Sequence, residues 1–159
     1  MNGEVLAIFI NPKPHGALVT VKQVQAVEAR GLEGDHHFRH YESTAEEKPD
    51  AEVTLIEMEA LEALQRDYKV ELKPEESRRN LLTRGAALNH LVGKTFAVGE
   101  AVLRGIRLCE PCAHLESLTR PGVLKGMIHR CGLRAQVVQS GAIRMGDAIR
   151  CGKTSFADY

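Results

Sequence analysis

Cys109 and Cys112, in the segment Leu108-Cys109-Glu110-Pro111-Cys112-Ala113-His114, are the residues of this chain best suited to chemistry. A thiolate is both a nucleophile and a soft metal ligand, and a Cys-x-x-Cys pair admits four uses. A structural zinc site needs two further ligands. No second Cys-x-x-Cys or paired histidine motif supplies them, and His114, Cys131 and Cys151 lack ligand-pair spacing. Covalent haem attachment needs histidine directly after the second cysteine, where Ala113 stands. A thioredoxin-like redox pair opens a helix after a strand in a βαβ setting; the strand-to-helix junction fits, but the surrounding pattern is β-rich. The fourth use is a lone thiolate at Cys112. Near a helix N-terminus, backbone N–H groups stabilise its charge, and the sulfur could ligate a soft metal or carry a persulfide. The ordinary state of an unpaired cysteine is a buried apolar filler. That reading is taken for Cys109, Cys131 and Cys151; for Cys112 it stands level with the functional one.

Other polar groups are less specific. Arg78-Arg79-Asn80 follows a proline-broken loop. Adjacent guanidiniums can grip a phosphate and an amide can hold a heterocycle edge, although a solvated basic turn is the simpler reading. His36, His37 and His40 resemble ligand material, yet no cysteine or carboxylate follows them at a standard spacing, so polar surface is the expectation. Asp35, after Gly34, reads as a residue that shapes its turn. His15, His90, His114 and His129 have no evident partner.

The elements that must position these groups are mostly strands. Residues 4–10 are apolar and end at Asn11-Pro12-Lys13-Pro14-His15-Gly16, a turn signal. The run from Leu18 to Ala29 alternates at Val19 and Val21 but slips near Gln23, as in a long strand with a bulge or bend. It closes at a glycine turn over 31–35, and a polar loop occupies 41–50. Residues 53–56 form a short strand. Over 57–68, Met58, Leu61 and Leu64 with Ala60 and Ala63 share one face, which predicts a helix. The stretch 81–93 is irregular and partly extended. Gly99-Glu100 predicts a hairpin between 96–98 and 102–108. Short helices are expected over 113–119 and 123–129, separated by Pro121-Gly122, and strands over 133–139 and 142–151. Short, one-sided strands with few helices favour an antiparallel or mixed barrel over a doubly wound sheet.

The 159 residues suffice for one domain with its own core, and nothing divides them. The 21 basic and 21 acidic residues balance, so the broad positive field of a nucleic-acid binder is not expected, while a local basic pocket for a small anion is compatible with neutrality. The apolar start lacks a basic flank and a cleavage site, and no run approaches the roughly 20 residues that span a bilayer. The expectation is a cytoplasmic chain with reduced cysteines and no membrane partner.

Taken in order, several segments resemble the MOSC domain, the family named for the C-terminal domain of molybdenum cofactor sulfurase. They are Gly31-Leu32-Glu33-Gly34-Asp35-His36, then Arg78-Arg79-Asn80-Leu81 with Thr83 and Gly85, and Leu91-Val92-Gly93. Val98-Gly99-Glu100-Ala101-Val102-Leu103, Leu108 to Cys112, and Gly141 to Asp147 complete the series. The resemblance implies a mainly β fold, a MOSC-type β-barrel with a few short helices, formed by residues 1–159 as a single domain. It implies a functional cysteine at Cys112, which ligates molybdenum where molybdenum cofactor is held. It also implies Arg78 and Asn80 for the pterin phosphate and ring, with Lys13 and His36 lining the same pocket. Two activities follow from it. One is reduction of N-hydroxylated or related small-molecule substrates by a molybdopterin-bound protein that takes electrons from a redox partner, since the chain carries no flavin or iron–sulfur motif. The other is sulfur carriage, in which Cys112 accepts persulfide sulfur from a pyridoxal-phosphate cysteine desulfurase for metal–sulfur cofactor assembly. The chain departs from the family's usual Gly-Asp-Arg-His turn: Gly34-Asp35-His36-His37 puts a group titrating near neutrality where a permanent cation is usual.

Overall fold

Along the first strand, β1 (Asn2–Ile10), successive side chains point to opposite faces and both faces are covered. Val5 and Ile8 enter the barrel interior, while Phe9 joins a second apolar cluster outside it. A register shift between Val5 and Ala7 allows Val5 and Ile8 to share a face despite their odd spacing. The same two-sided burial recurs in β5 (Val53–Glu57) and β6 (Leu81–Arg84): Leu55 and Leu81 point inward, Ile56 and Leu82 outward. Strands covered on both sides read as unbroken apolar runs, which is how residues 4–10 and 53–56 appear in the sequence.

The computed structural model describes residues 2–40 and 49–151. The polar loop expected over 41–50 lies outside the described residues from 41 to 48. The remaining strands are β2 (Val19–Val21), β3 (Gln23–Val27), β4 (Gly31–Leu32), β7 (Thr95–Val98), β8 (Ala101–Leu108), β9 (Leu133–Gln139), β10 (Gly141–Arg144) and β11 (Ala148–Cys151). Seven strands in the order β11-β7-β8-β9-β5-β6-β1 close into a barrel when β1 pairs antiparallel with β11, from Asn2 opposite Arg150 to Glu4 opposite Ala148. β2 extends the sheet beyond β1, and β3 sits between β10 and β4 in a separate three-stranded sheet. The only parallel pair among the described strands is β5–β6, which a crossover must join. That crossover contains α1 (Met58–Tyr68), with Ala60, Leu61, Ala63 and Leu64 buried as its periodicity predicts. Two shorter helices, α2 (Ala113–Leu118) and α3 (Val123–Gly126), contribute Leu115 and Val123 to the same outer cluster. Among the described residues no helix is long and apolar enough to cross a membrane.

Two expected strands are each divided. The slip near Gln23 is more than a bulge, because β2 pairs with β1 while β3 leaves for the second sheet. The segment 142–151 turns at Gly146-Asp147, where the Asp147 carboxylate accepts the Arg144 N–H at 2.7 Å, so β10 and β11 also serve different sheets. The irregular stretch 81–93 resolves into β6 and a 3-10 turn over Leu88–Leu91.

Gly132 is where the barrel wall leaves no room for a side chain. Its φ is +117°, and a Cβ there would lie 2.2 Å from the Leu55 carbonyl oxygen, in a strand β9 contacts directly. At Gly93, φ is +78° with nothing within 4 Å. Urea unfolding should therefore show Gly132→Ala destabilised by about 3 kcal/mol, combining strain and overpacking. Gly93→Ala should lose only about 1 kcal/mol, from the backbone conformation alone. Equal losses would show that conformation, not the Leu55 contact, dictates glycine at 132.

Candidate functional site

One end of the barrel gathers the last residue beyond β1, the starts of β5, β6 and β9, and the chain leaving β8. There sheet pairing ends and side chains take over the peptide groups. Asn80 is 8% exposed, and its amide is fully engaged. Its Oδ1 accepts the Thr54 N–H at 3.0 Å and the Thr54 hydroxyl at 3.1 Å; its Nδ2 donates to the Phe9 carbonyl at 3.0 Å and lies 3.5 Å from Asp35 Oδ1. Asp35 in turn accepts the Asn11 N–H at 2.7 Å through Oδ1 and the His37 N–H at 3.1 Å through Oδ2. Burial pushes the Asp35 carboxyl upward, but the His37 side chain and the backbone donors of Asn11 and His37 outweigh it and hold the group below the ordinary carboxylate range.

Above this network opens a cleft of about 1070 Å³ whose walls include Asn80, His36, Arg78, Arg79, Arg134 and Cys112. Cys112 is the N-cap of α2 in extended conformation, exposed, with Sγ accepting the Leu115 N–H at 3.4 Å. The helix thus begins at its sulfur. Cys109 is buried one residue past β8, and its N–H bonds the Gly132 carbonyl at 2.7 Å.

Three guanidiniums face the cleft, each tied to the wall by part of its donor set. Arg78 caps a 3-10 turn (Pro74–Ser77) with φ +61°, a strained conformation for a side chain of this kind, and donates to the Gly16 carbonyl at 3.0 Å. Arg79 donates through Nε to the Cys131 carbonyl at 2.9 Å and through Nη2 to Cys131 Sγ at 3.2 Å. Burial raises the Cys131 thiol above its ordinary range despite that guanidinium, so it stays protonated near neutrality and leaves the Arg79 charge uncompensated. Arg134, directly opposite Thr54 across β5–β9, donates from Nη1 to the Asp50 carbonyl at 3.3 Å, while its buried Nε has no partner among the described residues. A guanidinium donor without a partner among the described residues is suited to an anionic ligand, although Asp35, Glu75 and Glu76 line the same cleft.

Of the residues singled out in the sequence, Cys112, Arg78, Asn80 and His36 come together on this cleft. Lys13 does not join its wall: it is exposed on the turn before, where its carbonyl accepts the Gly16 N–H at 2.9 Å, and Pro14 and His15 reach the cleft instead. Asn80 holds strand ends, with no polar valence free for a ligand. Asp35 shapes its turn as expected and also underpins the site. Arg134 was not among the candidates. Its signal was the one charged residue in the strand 133–139. His15 and His114, which had no evident partner, meet edge to face on the cleft with ring centroids 6.4 Å apart.

The family profile of the MOSC domain matches residues 33–150. Among solved structures, the YuaD protein from Bacillus subtilis superimposes with a TM-score of 0.79 at 16% identity, covering 94% of each chain. YiiM from Geobacillus stearothermophilus gives 0.72 at 16% identity, covering 98% of this chain and 78% of that one. YiiM from Escherichia coli gives 0.66 at 18% identity, covering 96% and 71%. At such identities the likeness shows the fold alone. Comparison with curated proteins returned no match.

Removing the Asn80 amide leaves the Thr54 N–H and the Phe9 carbonyl without partners, so Asn80→Ala should lose about 3 kcal/mol in urea unfolding. Asn80→Asp should lose at least as much, because it sets a carboxylate against Asp35. A loss under about 1 kcal/mol would show that water replaces the amide freely. Asp35, whose folded pKa is depressed, contributes stability that is complete above the ordinary carboxylate pKa and disappears as pH falls through the folded value. Urea midpoints should therefore drop below about pH 4, and that drop should be shallower in Asp35→Asn.

Proposed function

Because the chain belongs to the MOSC domain family, we propose that its cleft holds molybdenum cofactor with Cys112 Sγ as the thiolate ligand of the metal, and that the loaded protein reduces N-hydroxylated or related small substrates. The observation that carries this reading is the exposed Cys112 sulfur on the same cleft as Arg78, Arg79 and the unpaired Arg134 Nε. The residues fit the group chemically. A phosphorylated pterin is anionic and needs cationic donors, molybdenum accepts a soft sulfur ligand, and about 1070 Å³ is within or slightly above the range of small-molecule sites. Bound molybdenum supplies the two-electron redox chemistry.

The chain's own residues then have distinct tasks. Cys112 anchors through a sulfur oriented by the Leu115 N–H, and the family resemblance assigns it that role. Arg78 and Arg134 present donors to the phosphate, while Arg79, held on Cys131, adds a fixed positive charge. Asn80 and Asp35 position the strand ends from which these groups project. His36 brings an imidazole to the same wall. Electrons come from a separate redox protein in this reading.

A second reading draws on the exposure of Cys112 at a helix N-cap. Attack of its thiolate on the outer sulfur of a desulfurase persulfide would form the Cys112 persulfide and release the donor thiolate, making the protein a sulfur carrier.

The test is expression in a molybdate-supplied host that makes the cofactor, followed by elemental analysis and oxidised-pterin fluorescence. Near-stoichiometric molybdenum in the wild type, and at least tenfold less in folded Cys112→Ser, is the expected result. Absence of both metal and pterin would sink the cofactor reading. A gain of one sulfur on Cys112 after incubation with a cysteine desulfurase and cysteine would then favour carriage, and no gain would reject that as well.

A further inference from the structure

The same cleft contains a carboxylate and two imidazoles grouped at one turn, of which the pterin reading uses only His36. Asp35, His36 and His37 each offer one ligand atom, and the three lie within 4.8 Å of one another. The His36 Nδ1 is 2.9 Å from the Asn11 carbonyl, a pure acceptor, so Nδ1 carries the proton and the lone pair sits on Nε2. The His37 ring stacks on it with centroids 3.9 Å apart, and the His37 Nδ1 lies 3.5 Å from Asp35 Oδ2. A backbone carbonyl behind the His36 imidazole is a contact by which proteins orient metal-binding histidines, and the Asp35 carboxylate stands beside the His37 ring as a further donor.

A second observation is independent of this cluster. Asn11 is 6% exposed and lines the cleft, and its side-chain Oδ1 is buried with no hydrogen-bond partner among the described residues. It belongs to the residue whose N–H bonds Asp35 and whose carbonyl bonds His36. A buried acceptor with no donor is unfavourable, and a cation removes the deficit.

We propose that Asp35, His36 and His37 form a divalent metal site for Zn²⁺, with a coordination position open to the cleft. Two imidazole nitrogens and a carboxylate oxygen are a zinc donor set of the open type, which leaves a position for water or a substrate oxygen. The site does not rest on the molybdenum reading: Cys112 is not one of its ligands.

Cobalt(II) titration of reduced, pterin-free full chain tests it through the visible d–d absorption, with displacement by Zn²⁺. The expected result is one equivalent of cobalt with no sulfur-to-cobalt charge-transfer band, displaced by zinc, and binding retained in Cys112→Ser. His36→Gln and His37→Gln should each weaken uptake by about tenfold or more. The His37 side chain is 51% exposed, so that variant keeps the fold, as circular dichroism would verify. No visible band, undiminished binding in His37→Gln, or loss of binding in Cys112→Ser would each overturn the proposal. Molybdenum content is measured on separate preparations, so a chain that takes up cobalt but never molybdenum upholds this site and rejects the cofactor, and the reverse outcome does the opposite.

Discussion

Where β1, β5 and β6 end side by side, peptide groups pass beyond the reach of sheet pairing, and one buried amide satisfies them. Asn80 takes the Thr54 N–H and gives to the Phe9 carbonyl, so it ties the parallel β5–β6 pair to β1 at the point where the barrel would fray. Its approach to Asp35 extends the tie to the glycine turn, and Asp35 fixes Asn11 and His37. Asn11, His36, His37, Thr54, Arg79 and Asn80 reach the cleft from backbone segments that this network holds or adjoins. Such a network is rigid because each member is satisfied mainly by the others, and removing one member strands several.

The cleft above it is electrostatically uneven. Arg78, Arg79 and Arg134 supply positive charge while their anchoring contacts are a backbone carbonyl, a cysteine with its carbonyl, and another backbone carbonyl. None of these anchors is a carboxylate. Neutral anchors fix a guanidinium without cancelling it, while Asp35, Glu75 and Glu76 bring carboxylates to other parts of the same wall. Arg79 on the protonated Cys131 is the clearest case.

The cysteines show how far the surroundings decide the chemistry of one residue type. Cys131 is buried and pushed toward its thiol form, and Cys109 is sealed behind the junction of β8 with β9. Cys112, only three positions after Cys109, is exposed because Glu110 and Pro111 carry the chain off the barrel before α2 begins at its sulfur. The adjacent histidines differ similarly. A turn shaped by Asp35 stacks the two rings and places a carboxylate behind them.

Local pattern alone determined the barrel class, the α1 face and the hairpin at Gly99-Glu100, because burial repeats with the period of each element and turns need particular residues. It also set Cys112 at a strand-to-helix junction, which is a local feature, but left a functional sulfur level with a buried filler there. The division of 19–27 and 142–151 between two sheets was decided by tertiary structure, because strand partners are chosen by distant chain segments. So was the saturation of Asn80, whose partners at Phe9 and Asp35 lie 71 and 45 residues away. The Asp35 carboxylate precedes His36 and His37 in sequence, and only the closed turn brings its Oδ2 to 3.5 Å from the His37 Nδ1. Arg134 faces the cleft because pairing sets it opposite Thr54, a register fixed by the packed barrel and by nothing within β9 itself.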